Sequence, residues 1–161
     1  MDAIVHWLLA SALSHWIRST RGVWPALQIL HFVGLSLLIG AMLIVDLRLA
    51  GFWRRINIAV VRALLPWAVV GFAINVMTGL MFFVGDPHRY VANIGFRIKM
   101  LLIIIAGLNA LWFGWRIAPV MGAWDPNGAT SRSARVVAYL SLGSWCGVLV
   151  CGRLIPYVGT G

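Results

Sequence analysis

One histidine sets the functional question. His31 lies within Trp24–Val45, a run of 22 residues that carries no other ionisable side chain. At 1.5 Å per residue such a run can cross a hydrocarbon layer of about 30 Å. An imidazole inside it is costly unless it faces a protein interior and meets a partner or a ligand. Counted from Trp24, His31 falls roughly 10 Å below the nearer surface at helical rise. Gly34, one turn on, would leave room beside the ring. The other histidines, His6, His15 and His88, lie towards the same surface, as do Arg89, Arg97 and Lys99, the last being the only lysine.

These residue types suit a b-type haem. An imidazole can bind iron, small residues such as Gly34, Thr78 and Gly79 can form a slot for a flat ring, and Arg97 and Lys99 can meet its propionates. His31 is then the metal ligand. His15 or His88 could supply a second axial donor by folding in from the surface. Met77 lies at similar depth but off the polar stripe of its helix, so it should point elsewhere. The plainer reading gives His31 a packing role, hydrogen-bonded to Thr78, Asn75, Asn109 or a backbone carbonyl. Lys99 and Asn109 read most simply as a rim cation and an interhelical hydrogen bond. Asp46 and Arg48 read as an ion pair closing the first span. Asp86 and His88 form too small a set for a metal site. There is no HExxH, no nucleophilic triad pattern and no phosphate-binding glycine loop.

The elements that must hold these groups are membrane spans. The 161-residue chain is 61% hydrophobic and 11% charged, too apolar for a soluble domain. Its 13 Lys+Arg stand against four aspartates and no glutamate. The cations cluster at the ends of apolar runs, where they fix topology and meet lipid phosphates; no nucleic-acid motif accompanies them. Cys146 and Cys151, five apart, form neither a CxxC pair nor a metal knuckle and read as buried small hydrophobes. No removable signal peptide is expected, since no basic segment or small-residue cleavage site flanks the first apolar stretch.

The expected fold is all-α: a single domain over 1–161, an integral membrane four-helix bundle with an N-terminal interfacial amphipathic helix. That helix covers 3–18, with Ser11, Ser14, His15 and Arg18 as its wet stripe. The spans are expected at about 24–45, 66–84, 96–117 and 136–155. Pro66 opens the second, after a loop 46–65, and Gly71, Asn75, Thr78, Gly79 and Phe82 line one of its faces. A turn at 85–90 and a polar loop at 119–135 connect the rest. Gly143 and Gly147 form a small-xxx-small packing ridge on the fourth. Six basic residues on one side against seven on the other leave orientation nearly balanced; the four arginines within 46–65 favour that loop as cytoplasmic.

The chain resembles an uncharacterised family of small four-span bacterial inner-membrane proteins. The resemblance rests on His31-x-x-Gly34-x5-Gly40, Asp46-Leu47-Arg48-Leu49-x-Gly51, Leu65-Pro66-Trp67, Thr78-Gly79, and Asn93-x-x-Phe96-Arg97-x-Lys99 continuing to Asn109. It covers roughly 5–118. In layout the chain is loosely similar to membrane cytochrome b and copper-resistance type bundles, which implies haem or metal by analogy. Members of the family often carry a His near the end of the third span; here the matching stretch is Asn109 to Gly114, without one. Two functions are expected. One is a small subunit holding haem b through His31 and passing electrons between the quinone pool and a partner redox protein. The other is a non-catalytic accessory subunit of a larger membrane complex or homo-oligomer. Either is nearer to an electron-transfer or accessory role than to a stand-alone enzyme, and the expected location is the bacterial inner membrane.

Overall fold

The computed structural model describes residues 2–121 and 130–158. Part of the polar loop expected at 119–135, and the end of the glycine-rich tail, lie outside them. The described residues are helical with no strand. Four helices are long and apolar enough to cross a membrane, which makes this a multi-pass membrane bundle. In chain order the elements are α1 (Asp2–Leu9), α2 (Ala12–Ser19), α3 (Val23–Ala50), α4 (Ile58–Gly85), α5 (Pro87–Val91), α6 (Ile94–Trp112) and α7 (Arg132–Leu154). A π-helical turn, Phe113–Ile117, extends α6.

The N-terminal segment expected as one helix over 3–18 is two, broken at Ser11. The Ser11 hydroxyl donates to Leu8 O at 2.6 Å and accepts from Ser14 N at 3.2 Å, so one side chain ends α1 and caps α2. Ser14, expected in the wet stripe, is fully buried beside Ile17, and His15 and Arg18 keep the exposed side. Ile17 reaches Gly85 at the end of α4, where a Cβ would come within 3.0 Å of it.

Both early spans are longer than their apolar runs. α3 continues past Val45 to Ala50 and stops at Gly51, whose φ of 96° is left-handed; Gly51 N and Phe52 N close the last turn on Arg48 O and Leu47 O. Asp46 and Arg48 are therefore helical and not in a loop. They also do not pair as expected, because positions i and i+2 diverge on a helix. Arg48 Nε donates to Ile56 O at 2.8 Å, whereas Asp46 faces a cavity with Ser141. α4 starts at Ile58, capped by Asn57 Oδ1 on Ala59 N at 2.8 Å, and carries Pro66 inside it. Proline costs that helix one backbone hydrogen bond, on an exposed face, without ending it.

α3 packs along α4 and against α7, and α6 packs against α7. The α3–α4 crossing is a glycine contact: a Cβ on Gly71 would stand 2.6 Å from both Gly34 O and Leu38 N. Gly147 gives similar space to Leu102 of α6, while Gly143 has nothing within 4 Å. The expected Gly143/Gly147 ridge is thus split between an internal contact and an open outer position. Cys146 is exposed on the same helix, contrary to its expected burial. Around the bundle Phe32, Val69, Leu101, Leu108 and Leu111 stand exposed, a surface suited to contact with a lipid bilayer.

At one end, Asn93 ties α6 to α7. Its Oδ1 caps Phe96 N at 3.1 Å, and its Nδ2 donates to Ile155 O at 2.8 Å and to Val158 O. Asn93 is 4% exposed, so truncation strands buried polar groups. Asn93→Ala is expected to destabilise the fold by about 2 kcal/mol, the sum of a lost cap and a lost buried bond, read as a lower unfolding temperature in detergent.

Candidate functional site

His31 stands on α3 one turn before the Gly34–Gly71 crossing, which brings α4 close enough for a direct bond. Its Nδ1 lies 2.7 Å from Thr78 Oγ1, and Thr78 is fully buried. The direction of that bond follows from a second contact. Thr78 Oγ1 is also 2.7 Å from Ile74 O, and a carbonyl can only accept, so the hydroxyl proton belongs there. Thr78 must therefore accept from His31, which puts the imidazole proton on Nδ1 and leaves the lone pair on Nε2. The edge of His31 meets Phe82, ring centroids 5.5 Å apart, and Phe82 meets Trp24 at 5.2 Å. A hydroxyl on one side and aromatic rings on another fix the ring plane.

Two crevices open at His31, of about 220 and 410 Å³. They share His31, Gly79, Phe96 and Lys99. Gly79 has nothing within 4 Å of where a Cβ would stand, so the space beside the imidazole lies at Gly79. Gly34, expected to supply it, is filled by α4: a Cβ there would come within 2.7 Å of Asn75 Nδ2 and Ile74 Cγ2. The smaller crevice has a polar rim of Gln28, Arg89 and Tyr90; the larger is walled by α4, α6 and α7 side chains such as Val76, Phe83 and Val148.

Of the expected cations, Lys99 lines both crevices, its ammonium lying over Gly152, where a Cβ would be 3.6 Å from Nζ. Arg97 does not: it is exposed and its Nη2 reaches back to Val91 O at 3.3 Å. Arg89 takes the rim position instead. His15 and His88 are exposed and line neither crevice, so the structure does not bring them to His31. His15 Nδ1 sits 3.5 Å from Ser19 Oγ. Met77 is 52% exposed and faces outward as expected, while Met100 lines the larger crevice with His31. No cluster of three or more His, Cys, Asp or Glu occurs among the described residues.

Gln28 and Tyr90 were not among the expected residues. Gln28 is three before His31 and shares its helix face, so helical spacing could have found it. Tyr90 belongs to α5, whose position the sequence pattern does not fix. Tyr90 meets Phe96 at 5.3 Å, and Phe96 stacks on Phe83 at 5.9 Å and 17°, closing α4 against α6 at this end. Burial pushes the Tyr90 phenol above its ordinary range, which keeps it a neutral hydroxyl donor at the rim.

Asn109, the amide expected to bridge helices, does so: Nδ2 donates to Val137 O of α7 at 3.0 Å. Comparison with known proteins finds no matching family model, no matching curated protein and no matching solved structure.

Proposed function

We propose that this is a membrane subunit of the bacterial inner membrane that holds a b-type haem through His31 and serves electron transfer between the quinone pool and a partner redox protein. The carrying observation is the pair of contacts from Thr78 to His31 and Ile74, which holds Nδ1 as the protonated nitrogen and leaves the lone pair on Nε2. A neutral imidazole with its second nitrogen hydrogen-bonded is the form that ligates metals. The residues present fit such a group. Gly79 leaves a face open beside the ring, the crevice walls are apolar, and Lys99 and Arg89 offer cations to carboxylates at the rim. The larger crevice, at about 410 Å³, falls within the roughly 300–1,000 Å³ of small-molecule and cofactor sites.

Bound there, haem would supply a one-electron couple at iron. The chain's own contribution is to hold and orient the ligand nitrogen, to keep water from it with Trp24 and Phe82, and to neutralise propionates. His15 and His88 being remote, Met100 at the larger crevice is the side chain that could offer such a group a second donor. The four arginines within 46–65, of which Arg54 and Arg55 stand in the turn between α3 and α4, favour that end as the cytoplasmic one.

The test is a reduced-minus-oxidised visible spectrum of detergent-purified protein expressed with haem supplied, with a pyridine haemochrome assay. The expected result is a b-type α-band at near one haem per chain. Carbon monoxide binding to the reduced form then separates a haem that would be held by His31 alone from one that Met100 would also hold. A folded, colourless protein overturns the reading and leaves the accessory-subunit role, which the open Gly143 position and the lipid-facing side chains accommodate. Thr78→Val, which keeps shape but removes the acceptor for Nδ1–H, is expected to weaken haem retention by about 10–100-fold, the usual effect of losing the group that orients a metal-binding imidazole. Thr78→Ser should retain most of it, measured as haem per chain after competition with apomyoglobin.

A further inference from the structure

The other end of the bundle holds a second cavity, of about 290 Å³, organised around Asp46. Asp46 lies 15 residues beyond His31 on α3, about 22 Å along the helix axis, so the two sites are separate. They are also partitioned. Phe72 and Trp145 meet edge to face at 6.2 Å and contribute to the walls of both this cavity and the larger crevice at His31.

Asp46 is 1% exposed, and its Oδ2 has no hydrogen-bond partner among the described residues. A buried carboxyl oxygen without a donor is costly, and proteins usually supply one. Here the remaining lining is almost entirely apolar; Ser141 and Asn109 are its other polar side chains, and Asn109 Nδ2 is committed to Val137 O. No lysine, arginine or histidine lines the cavity among the described residues. The arginine two residues away, Arg48, uses its Nε on Ile56 O, outside the cavity.

The cavity is also accessible from the side. α4 and α6 are not a closely packed pair, and α6 with its π-helical extension presents Ala106, Gly107, Ala110 and Gly114 to the gap. The exposed Val69 and Ala110 mark its mouth, which faces the lipid-contacting surface. Inside, Phe72, Phe113 and Trp145 supply aromatic rings, whose faces attract cations.

We propose that this cavity binds a small lipophilic ammonium ion, its N–H groups on Asp46 Oδ2 and its apolar body among Phe72, Phe113 and Trp145. The charge complements the one acidic group lining the cavity, the donor completes the unpartnered oxygen, and the apolar walls select a hydrocarbon body. A neutral apolar occupant would leave the carboxyl as it stands. An inorganic cation would find too few oxygen ligands in so apolar a space.

The experiment uses phenethylamine, cationic at neutral pH, and propylbenzene, its uncharged counterpart of similar shape, titrated calorimetrically into the full-length protein in detergent. Empty micelles serve as the blank for partitioning. Phenethylamine is expected to bind at least tenfold more tightly than propylbenzene. Asp46→Asn should lose at least tenfold in affinity for the amine, and His31→Ala should bind it like the wild type. Equal binding of the two compounds by the wild type, or no binding of the amine at all, overturns the proposal without reliance on any variant. Unchanged amine binding by a folded Asp46→Asn protein overturns it as well.

Discussion

Purified His31→Ala protein is expected to be colourless while still inserting and folding. Haem per chain should fall by at least about tenfold, equivalent to about 1.4 kcal/mol or more of binding free energy. The substitution removes the one imidazole that lines the crevices and leaves Thr78 bonded to Ile74 O, so α4 keeps its local structure. A packing role predicts otherwise: there would be no pigment to lose, and the variant would differ from the wild type only in stability. His31→Gly sharpens the distinction. It opens a hole of imidazole shape beside Gly79, at a cost of about 1 kcal/mol in helix propensity. Added free imidazole should restore the α-band if the His31 imidazole is the ligand, in proportion to imidazole concentration until the site fills. A merely misfolded variant would not recover in this way, and His15 or His88, being remote, could not take over.

The expectations that held came from strong local signals. Long apolar runs interrupted by charge mark four spans, and that pattern survives any detail of packing. His31 stood out because an ionisable group within such a run needs a reason, and Thr78 was among its expected partners. Failures arose where helix ends depend on backbone satisfaction. Asp46 and Arg48 look like loop residues by charge, but the left-handed Gly51 stops the helix only after Ala50. Pro66 looks like a helix start, yet Asn57 provides a better cap nine residues earlier. Ser11 fits a polar stripe by spacing, but its hydroxyl can satisfy two helix ends at once and therefore breaks the segment.

Facing choices between helices were less legible still. Gly34 and Gly79 are both small residues near His31 in depth. Which one is filled and which is open depends on how α3 crosses α4, and no spacing within either helix fixes that. Likewise Arg89 and Arg97 are both rim arginines by sequence. The short α5 carries Arg89 to the crevice, and the cap at Asn93 starts α6 so that Arg97 turns out towards Val91 O. The separation of Asp46 from Arg48 has the same origin, in a helical phase that only a continuous α3 imposes.

The crossing that decides these matters should be the most sensitive point in the fold. A Cβ added at Gly71 would stand 2.6 Å from Gly34 O and from Leu38 N, both backbone atoms of α3. A Cβ added at Gly34 meets Asn75 Nδ2 and Ile74 Cγ2 at 2.7 Å and Gly71 O at 3.0 Å; the Asn75 amide can rotate away at the loss of its bond to Gly71 O, whereas Ile74 is β-branched and stiff in a helix. Backbone cannot yield without moving a helix. Gly71→Ala is therefore expected to cost about 3 kcal/mol or more, the upper range for overpacking, and Gly34→Ala about 2 kcal/mol. Thermal unfolding in detergent checks the order: Gly71→Ala below Gly34→Ala, and both well below the wild type. The effect should also reach the site. His31 precedes Gly34 by three residues and Thr78 follows Gly71 by seven, so spreading the crossing lengthens the 2.7 Å contact between Nδ1 and Thr78. Gly71→Ala is thus expected to lose haem together with stability although it touches neither His31 nor either crevice. Wild-type stability of Gly71→Ala would show that α3 and α4 do not cross at this glycine pair.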